Sequence, residues 1–491
     1  MLSCLRVKHF SLRVKHIIIL CLVAAVTSLA DTKEVHILAV NDMHANIDQF
    51  PNFATLVNGI RTKHPGLLLF SAGDNRTGNP VNDMHPEASL PMITLMNHVG
   101  FNLSAIGNHE FDAGLVALRR VVYRSHFRYV CANMSMPDTL RLHIEPYKMF
   151  EVDGVRIAVL GLVQRNEGGT PDTHPDNVKG ITFRPPIETA KEYAWLRDRC
   201  DVFIVLVHDS YEEAIKLAEA FPQPDLIISG HSHTAIDHEA ADTKDTFNNV
   251  LITQAGSHLK YATYIIVELE DGKVAKRKAR LLPVPVPNAR VQAMVNEFNN
   301  NDVLKRELTQ AAADFTNCEE LGCLMADALR SELGADIAFQ NPGGVRLSKL
   351  EKGPVTVGTV YALDPFGNEA VEYTLTGEEV LRLITAAYNA EGKSPVYVSG
   401  IRYGMTINPD GTVKDVTAAM DGDAAAPFDL QRRYKVVMSS YLAAICEYEK
   451  ADTGRELGRL ATDLLIEYLQ KQPSVDYHGV KRANVTPLTN P

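Results

Sequence analysis

The sequence has little cysteine and no long run of lysine or arginine. It contains 7 cysteines in 491 residues, and its formal net charge is −11. An acidic chain without basic clusters is a poor partner for nucleic-acid polymers or anionic membranes. A cysteine content this low does not indicate a disulfide-stabilised scaffold. We therefore expect an ordinary globular protein with small-molecule partners, whose oligomeric state the sequence leaves open.

The cysteines do not form a recognisable metal or disulfide pattern. Five of them follow residue 30: Cys131, Cys200, Cys318, Cys323 and Cys446. Because this number is odd, at least one thiol is expected to be free or paired between chains. Cys318 and Cys323 are close enough in sequence for a local bridge, but none of the spacings is typical of a zinc ribbon.

Residues 1–30 have the pattern of a secretory signal peptide. Four basic residues and no acidic ones precede or flank the apolar run IIILCLVAAV, which leads to SLA before Asp31. This arrangement predicts cleavage after Ala30. The apolar run is short for a membrane span, and the C-terminal segment RANVTPLTNP is polar. We expect an exported protein, periplasmic or extracellular, without a stable membrane anchor after cleavage; an N-terminal anchor helix is the less favoured alternative.

The body of the chain is long enough for at least two domains. In its first half, continuous apolar runs alternate with helical patterns, which is typical of α/β layers with strands covered on both faces. The proline-rich segment LLPVPVPNAR interrupts this pattern, and a second α/β unit follows it. The predicted division is a signal peptide 1–30, a first domain 31–285, a linker helix 286–302, a smaller second domain 303–478 and a tail 479–491.

Polar side chains follow five of the apolar runs in the first domain. In chain order they are Asp42 and His44, then Asp74, then Asn108, His109, Glu110 and Asp112, then His208, then His231 and His233. Ligands of open α/β sheets bind beyond the carboxyl ends of the strands. Each group alone has a simpler explanation, such as a turn, a capping residue or a hydrogen-bonded histidine. Five such groups in order predict a shared metal site.

The donor types restrict the metal. Imidazole and oxygen donors without thiolate favour Mn, Fe, Co, Ni or Zn. Seven donors are too many for one ion, whereas two ions about 3.5–4 Å apart can share one carboxylate, for which Asp74 is the candidate. Such a pair makes hydroxide from water near neutral pH and neutralises phosphoryl oxygens.

His109 and Asp112 are left over after the ligands are counted. A histidine held by a carboxylate can stabilise the transition state or protonate a leaving alkoxide. The alternative is that His109 orients a metal ligand, and we favour the catalytic role. Glu110 is interpreted as structural.

The motifs NDMH, GD, GNHEFD, the single His208 and GHSH resemble the signature of calcineurin-like metallophosphoesterases. With the second domain, residues 34 to 450 resemble the secreted 5′-nucleotidase family, which includes UDP-sugar hydrolases. The resemblance implies a four-layer α/β sandwich, a smaller α/β domain and two divalent ions of Zn, Mn, Fe or Co. It implies that one ion is held by Asp42, His44, Asp74 and His233, the other by Asp74, Asn108, His208 and His231, and that His109 and Asp112 are catalytic.

The second domain carries two candidate substrate motifs. In NPGGVR, two glycines allow close backbone approach and an arginine can bind phosphate with two donors. In DPFGN, an aromatic ring in a turn suits stacking on a base, worth about 1–3 kcal/mol. A plain glycine turn and an interdomain plug are the alternatives. By resemblance, the substrate residues are Asn341, Gly343, Gly344, Arg346, Phe366, Asn368, Tyr441 and Glu447.

The chain departs from the family near the second aromatic residue. Where the family has a Gly-Gly-Asp-Gly turn, this chain has ICEYEKAD, with Glu447 near the place of the ribose-binding aspartate. An arginine usual before the first helix of this domain is missing from DFTNCEELGC. We expect release of phosphate from nucleoside 5′-monophosphates by a metal-bound hydroxide. The alternatives are a UDP-sugar diphosphatase, a 2′,3′-cyclic-nucleotide phosphodiesterase and a non-catalytic metal-containing surface binding protein.

Overall fold

The computed structural model describes residues 32–140, 142–240, 243–421 and 428–488. The predicted signal peptide and its cleavage site lie outside these residues. Within the described ranges, no helix is both long enough and apolar enough to cross a membrane.

Two sheets face each other in the first domain. The first has the strand order Lys273–Pro283, Tyr261–Glu270, Thr32–Val40, Leu68–Ser71, Leu103–Ala105, Arg128–Val130, Ile144–Glu145. The second has the order Thr246–Phe247, Val250–Thr253, Leu226–Ile228, Val202–His208, Val155–Val163, Tyr147–Val152. Ile37 and Phe70 of the first sheet share one buried core with Ile204 of the second. A further ladder pairs Met134–Ser135 with Thr182–Phe183.

Helices cover the outer face of each sheet. Phe53 and Met96 pack with Leu38 on the outside of the first sheet, and Leu217 packs with Phe203 on the outside of the second. The helices of this part of the chain are Phe50–Lys63, Pro80–Asp83, Leu90–Val99, Gly114–Arg124, Pro186–Glu192 and Tyr211–Ala220. The layers are therefore helix, sheet, sheet and helix, which confirms the predicted sandwich.

The second α/β unit is built around a five-stranded sheet. Its strand order is Tyr397–Ser399, Ile337–Gln340, Arg433–Ser439, Glu369–Thr376, Arg455–Leu460. Smaller sheets consist of Glu307–Ala311 with Gly353–Thr356, and of Val413–Met420, Ile401–Ile407 and Ala483–Pro487. Its helices are Asp302–Lys305, Cys318–Leu333, Val357–Leu363, Gly377–Ala390, Ser440–Ile445 and Ala461–Gln470. The predicted smaller α/β domain is thus present.

The helix Cys318–Leu333 illustrates how local sequence sets these limits. The Asn317 side chain accepts a hydrogen bond from the backbone N–H of Glu320, 3.1 Å away, and so caps the first turn. Gly334 ends the helix with φ of 58°, a conformation that glycine adopts without a steric penalty. Cys318 and Cys323 both lie on this helix and are not bonded to each other; all five described cysteines are free.

The end of the described chain is part of the second domain's sheet structure. Ala483–Pro487 pairs in parallel with Ile401–Ile407. Just before it, the Arg482 guanidinium contacts the Asp327 carboxylate at 2.6 Å. Residues 479–488 therefore do not form the separate tail expected from the polar sequence, because their backbone completes a sheet.

A helix lies within the predicted linker, at Ala289–Phe298. Its Val291 and Val295 are buried in the core of the first domain, and the Asn299 amide donates to Asp48 at 2.7 Å. This helix is therefore packed on the first domain, while the limits of the two domains stay a prediction.

Candidate active site

The predicted metal ligands meet at one edge of the two large sheets. Thr32–Val40, Leu68–Ser71 and Leu103–Ala105 are parallel neighbours, and Val202–His208 is parallel to Leu226–Ile228. The carboxyl ends of parallel strands lie at the same edge, so the loops that follow them are brought together. The predicted ligands at these strand ends are Asp42, His44, Asp74, Asn108, His208, His231 and His233.

Several of these loops have strained backbone at the ligand itself. Positive φ values occur at Asp42 (47°), His44 (46°), Asp74 (54°), His231 (68°) and His233 (56°). Such conformations cost roughly 1–3 kcal/mol for residues other than glycine, and they concentrate at functional sites. The strain indicates that tertiary contacts fix the direction of these side chains.

One group of donors consists of Asp42, His44 and His233. The Nε2 atoms of the two histidines are 2.9 Å apart. The Asp42 Oδ1 atom is 3.5 Å from the His233 Nε2 atom and 4.0 Å from the His44 Nε2 atom. Three donor atoms therefore point at one position, as the ligands of a single cation do.

A second group surrounds Asp74. Its Oδ2 atom is 3.1 Å from the His208 Nε2 atom. The Asn108 Oδ1 atom is 3.1 Å from both His208 Nε2 and His231 Nδ1. Asp74 also shares a compact donor set with His44 and His109, in which the donor atoms lie within 4.8 Å of one another. Asp74 is therefore the residue that connects the two groups.

The histidine tautomers suit metal binding. The Nδ1–H of His208 donates to the Ala72 carbonyl at 2.7 Å, and the Nδ1–H of His44 donates to the Thr77 carbonyl at 3.0 Å. These bonds leave the Nε2 lone pairs directed into the site, which is the usual arrangement of metal-binding histidines. The donor set fits two divalent cations.

The electrostatics of the site also indicate a place for positive charge. Burial lowers the pKa of His208, but the Asp74 and Asp42 carboxylates outweigh it and raise this pKa to about 10. Burial raises the pKa of Asp74, but the neighbouring His208 and His109 bring it well below the usual range. Buried carboxylates that recruit protons in this way are suited to binding cations.

Glu110 holds two ligand loops together, as the structural interpretation predicted. Its buried carboxylate accepts hydrogen bonds from the backbone N–H groups of Asp74 (3.0 Å), Asn75 (2.8 Å) and Gly107 (2.6 Å). Burial raises its pKa, and the Asp74 charge adds to that effect. Glu110 therefore fixes the backbone on both sides of the site.

Glycine is required where these loops touch. A Cβ atom on Gly107 would lie 2.2 Å from the Asp74 Oδ1 atom. Gly73 has φ of 93°, and a Cβ atom there would lie 2.8 Å from the Gly107 nitrogen. The close approach brings the Asp74 carboxylate within 2.9 Å of the backbone N–H of His109, which donates to it.

His109 and Asp112 form a hydrogen-bonded pair. The His109 Nδ1 atom lies 2.7 Å from the Asp112 Oδ2 atom, and the His109 Nε2 atom lies 3.9 Å from the Asp74 Oδ2 atom. Burial lowers the pKa of His109, but the two carboxylates raise it above the ordinary value. Thr173, which the sequence analysis did not identify, donates its hydroxyl to the Asp112 Oδ1 atom at 3.1 Å. The pair can hold and deliver a proton at Nε2.

The second domain faces this centre across a cavity of about 280 Å³. The Phe366 ring lies 5.9 Å from the His109 ring, at an interplanar angle of 27°. The Arg346 guanidinium carbon lies 5.7 Å from the centre of the Phe366 ring. Seven predicted substrate residues line the cavity: Asn341, Gly343, Gly344, Arg346, Phe366, Asn368 and Tyr441. From the first domain, Asn108, His109, Asp112 and His231 also line it.

The structure does not bring Glu447 into this cavity. The preceding Cys446 is buried in the core of the second domain, and the chain then turns so that Glu447 is exposed beside Arg382 and Tyr448. The expected ribose contact from Glu447 is therefore wrong on geometric grounds.

Glu391, which the sequence analysis did not identify, lines the cavity instead. It directly follows the helix Gly377–Ala390. An acidic residue at a helix C-terminus opposes the helix dipole. This unfavourable placement is the sequence signal that could have indicated it.

Two family descriptions match the chain. Residues 35–235 match the calcineurin-like phosphoesterase family, and residues 294–447 match the 5′-nucleotidase C-terminal domain family. The chain therefore combines a calcineurin-like phosphoesterase domain with a 5′-nucleotidase C-terminal domain. This confirms the resemblance stated from the motifs.

The individual relatives of this chain are distant in sequence. Protein UshA of Escherichia coli (strain K12) is 26% identical over 525 residues, covering 91% of this chain and 92% of UshA. Endonuclease YhcR of Bacillus subtilis (strain 168) is 26% identical over 491 residues, covering 84% of this chain but 39% of that relative. The chain thus spans about two fifths of the length of YhcR.

A solved structure supports the same fold. The 5′-nucleotidase precursor from Thermus thermophilus superposes with a TM-score of 0.80 at 23% identity. The match covers 94% of this chain and 100% of that chain. Both domains therefore follow a known architecture.

Proposed function

We propose that the protein is a dinuclear-metal phosphohydrolase that releases inorganic phosphate from nucleoside 5′-monophosphates. The observation that carries this proposal is the cavity that lies between the predicted metal ligands and the second domain. Asn108 and His231 of the ligand set line its first wall, and its second wall presents Arg346, Phe366 and Tyr441. Pockets between domains are a usual place for small substrates.

The two donor groups described above would hold two divalent ions, with Asp74 shared between them. Bound there, the ions would supply an activated water and neutralise phosphoryl charge. The hydrogen bonds from His44 and His208 to backbone carbonyls keep their Nε2 atoms available for this purpose. Glu110 holds the loops of Asp74 and Asn108 in fixed positions relative to each other, because its carboxylate accepts hydrogen bonds from the backbone of both.

The remaining groups act on the substrate. Asp112 holds His109 so that a proton at Nε2 can pass to the leaving alkoxide. Arg346 offers paired donors to a phosphoryl group, and the Phe366 and Tyr441 rings offer faces on which a base can stack. The structural relative from Thermus thermophilus is a 5′-nucleotidase precursor, and on this likeness we expect nucleotide substrates for this chain.

The alternatives differ in how well the cavity suits them. A UDP-sugar diphosphatase must hold two phosphates, and Arg346 is the single lysine or arginine among the described residues that line the cavity. This favours monophosphates. A non-catalytic binding protein has no need of the His109–Asp112 pair.

A phosphate-release assay tests the proposal. The protein is reconstituted with Mn²⁺ or Zn²⁺ and incubated with AMP, UMP, UDP-glucose and 2′,3′-cyclic AMP. We expect phosphate from the two monophosphates, and no release above background with Asp74→Asn. Equal release by wild type and Asp74→Asn would reject the proposal. Hydrolysis of UDP-glucose gives UMP and glucose 1-phosphate, and opening of the cyclic phosphate gives a nucleoside monophosphate, so these products are followed by chromatography. Activity confined to UDP-glucose or to the cyclic nucleotide would assign that compound as the substrate instead.

Export stays an expectation from residues 1–30. Fractionation of cells that express the full chain tests it. Activity in the extracellular or periplasmic fraction, with a mature N-terminus at Asp31, is the expected result; an uncleaved cytoplasmic product would contradict it.

A further inference from the structure

We propose that Glu391 determines specificity by selecting phosphomonoesters whose leaving group is neutral and rich in hydrogen-bond donors, and by rejecting substrates that bring a second phosphate into the cavity. This inference rests on the proposed function and specifies the substrate class of the same site.

Glu391 lies in the wall that faces the predicted nucleoside. Its Oε2 atom accepts a hydrogen bond from the backbone N–H of Gly343 at 2.9 Å, and its Oε1 atom accepts one from the Asn341 side chain at 3.2 Å. The carboxylate therefore fixes the loop that leads to Arg346. Each oxygen has a second lone pair, so both can accept another donor from a ligand.

The surroundings of Glu391 are acidic. Burial raises the pKa of its carboxyl group, and the Asp172 charge adds to that effect. Burial likewise raises the pKa of the Tyr441 hydroxyl, and the charges of Glu391, Asp172 and Asp112 raise it further. Three carboxylates thus act on one hydroxyl in this part of the cavity.

Positive charge from long side chains is limited to one side. Among the described residues of the cavity wall, Arg346 alone is a lysine or arginine. It lies beside Phe366. One phosphoryl group can bind between the predicted metal ligands and Arg346.

A leaving group then occupies the acidic part of the cavity. Sugar hydroxyls and the amino groups of bases donate hydrogen bonds, and hydrogen bonds to a charged acceptor are stronger than those to a neutral one. A second phosphate would instead place negative charge near Glu391, where partial burial strengthens repulsion. The acidic wall therefore discriminates by charge.

The test compares UMP with UDP-glucose, which share the nucleoside and differ by one phosphate and a sugar. Wild type, Glu391→Gln, Glu391→Asp and Glu447→Gln are reconstituted with Mn²⁺, and kcat/KM is measured for both substrates. Glutamine is nearly isosteric with glutamate: its oxygen can accept from Gly343, and its amide can donate to a rotated Asn341 side chain. Glu447→Gln removes the same charge outside the cavity.

Wild type should prefer UMP, and Glu391→Gln should raise the UDP-glucose to UMP ratio of kcat/KM by about tenfold, which corresponds to about 1.4 kcal/mol. Glu391→Asp and Glu447→Gln should keep the wild-type ratio. An unchanged ratio in Glu391→Gln, or an equal rise in Glu447→Gln, would overturn the inference.

If the variants do not fold, the substrate preference of the wild-type protein still tests the inference. A wild-type protein that hydrolyses UDP-glucose at least as well as UMP contradicts the inference. A wild-type protein that hydrolyses neither substrate nor AMP rejects the proposed function instead, so the two failures are distinguishable.

Discussion

The two walls of the cavity are built in different ways. The first-domain wall consists of residues that directly follow buried parallel strands, and the side chains behind it, Asp42, His44, Asp74 and His208, are almost fully buried. The second-domain wall consists of turns and a helix end, with Arg346, Phe366 and Glu391 partly exposed. The comparison teaches that the pairing of the strands fixes the positions of the predicted metal ligands. The positions of the predicted substrate-binding residues depend instead on the paths of turns and loops.

The largest effect is expected at the first wall. His109→Ala should lower kcat by about 10³-fold, because general acid catalysis contributes typically 10²–10⁴-fold. Metal content should be unchanged, since His109 is assigned no metal. The assay is AMP hydrolysis with elemental analysis of the same samples, and exposed His98→Ala is the matched control. Loss of metal in His109→Ala would make it a ligand instead.

A smaller loss is expected when the first wall is loosened without removing a reacting group. In the Glu110→Gln variant, one of the two accepting oxygens is replaced by an NH2 group, which cannot accept a hydrogen bond from a backbone N–H. The loops of Asp74 and Asn108 should therefore shift. A displacement of about 1 Å can cost about 10²-fold in rate. The readouts are kcat and metal affinity by titration, well below the melting temperature.

Exposed Glu188→Gln is the control for this comparison. A purely structural role for Glu110 predicts a lower melting temperature with unchanged metal affinity. That outcome would contradict the proposal that the Glu110 carboxylate positions the predicted metal ligands.

At the second wall, single changes should be milder. Phe366→Ala should lower kcat/KM for AMP by about tenfold, mainly through KM, because loss of base stacking costs about 1–3 kcal/mol. Exposed Tyr123→Ala serves as the control. Steady-state kinetics on AMP and on ribose 5-phosphate separate the effects. An equal loss on ribose 5-phosphate, which has no base, would show that Phe366 acts through His109 instead.

The smallest effect on catalysis is expected at Asp327, away from both walls. Burial raises the pKa of this carboxyl, but the hydrogen bonds and charge of Arg482 outweigh it and lower the pKa below the usual range. Because the folded-state pKa is the lower one, this stabilisation is present above the ordinary pKa near 4 and is lost as the pH falls through the folded value.

Asp327→Asn should therefore reduce the pH dependence of the free energy of unfolding below pH 4 and leave kcat unchanged. Denaturant unfolding at a series of pH values measures the first quantity, and AMP hydrolysis measures the second. Exposed Asp198→Asn should behave like wild type. A wild-type acid response in Asp327→Asn would show that the ion pair does not hold the C-terminal strand.

The sequence predicted the first wall well for a physical reason. Strands buried on both faces have continuous apolar runs, so their ends can be located to within a residue or two, and Asp42, Asp74 and His208 follow directly. The C-terminal end of the helix Cys318–Leu333 follows in the same way from Gly334. Local signals sufficed in both cases.

The second wall was predicted less completely. Glu447 was expected in the cavity and lies outside it, because burial of Cys446 turns the chain outward. Glu391 lines the cavity and was not identified from the sequence. Ala483–Pro487 was missed as a strand because its partner lies some eighty residues earlier in the chain, and the segment itself is polar. Burial of a neighbouring residue decided the first case, and long-range strand pairing decided the second.

The account depends most directly on the shared role of Asp74. Metal-reconstituted wild type and Asp74→Asn should be compared by elemental analysis and by anomalous scattering from crystals. We predict two divalent ions per chain in wild type, one in each donor group, and fewer than two in Asp74→Asn. A wild-type protein that binds no ions, or an Asp74→Asn protein that keeps both, would contradict it.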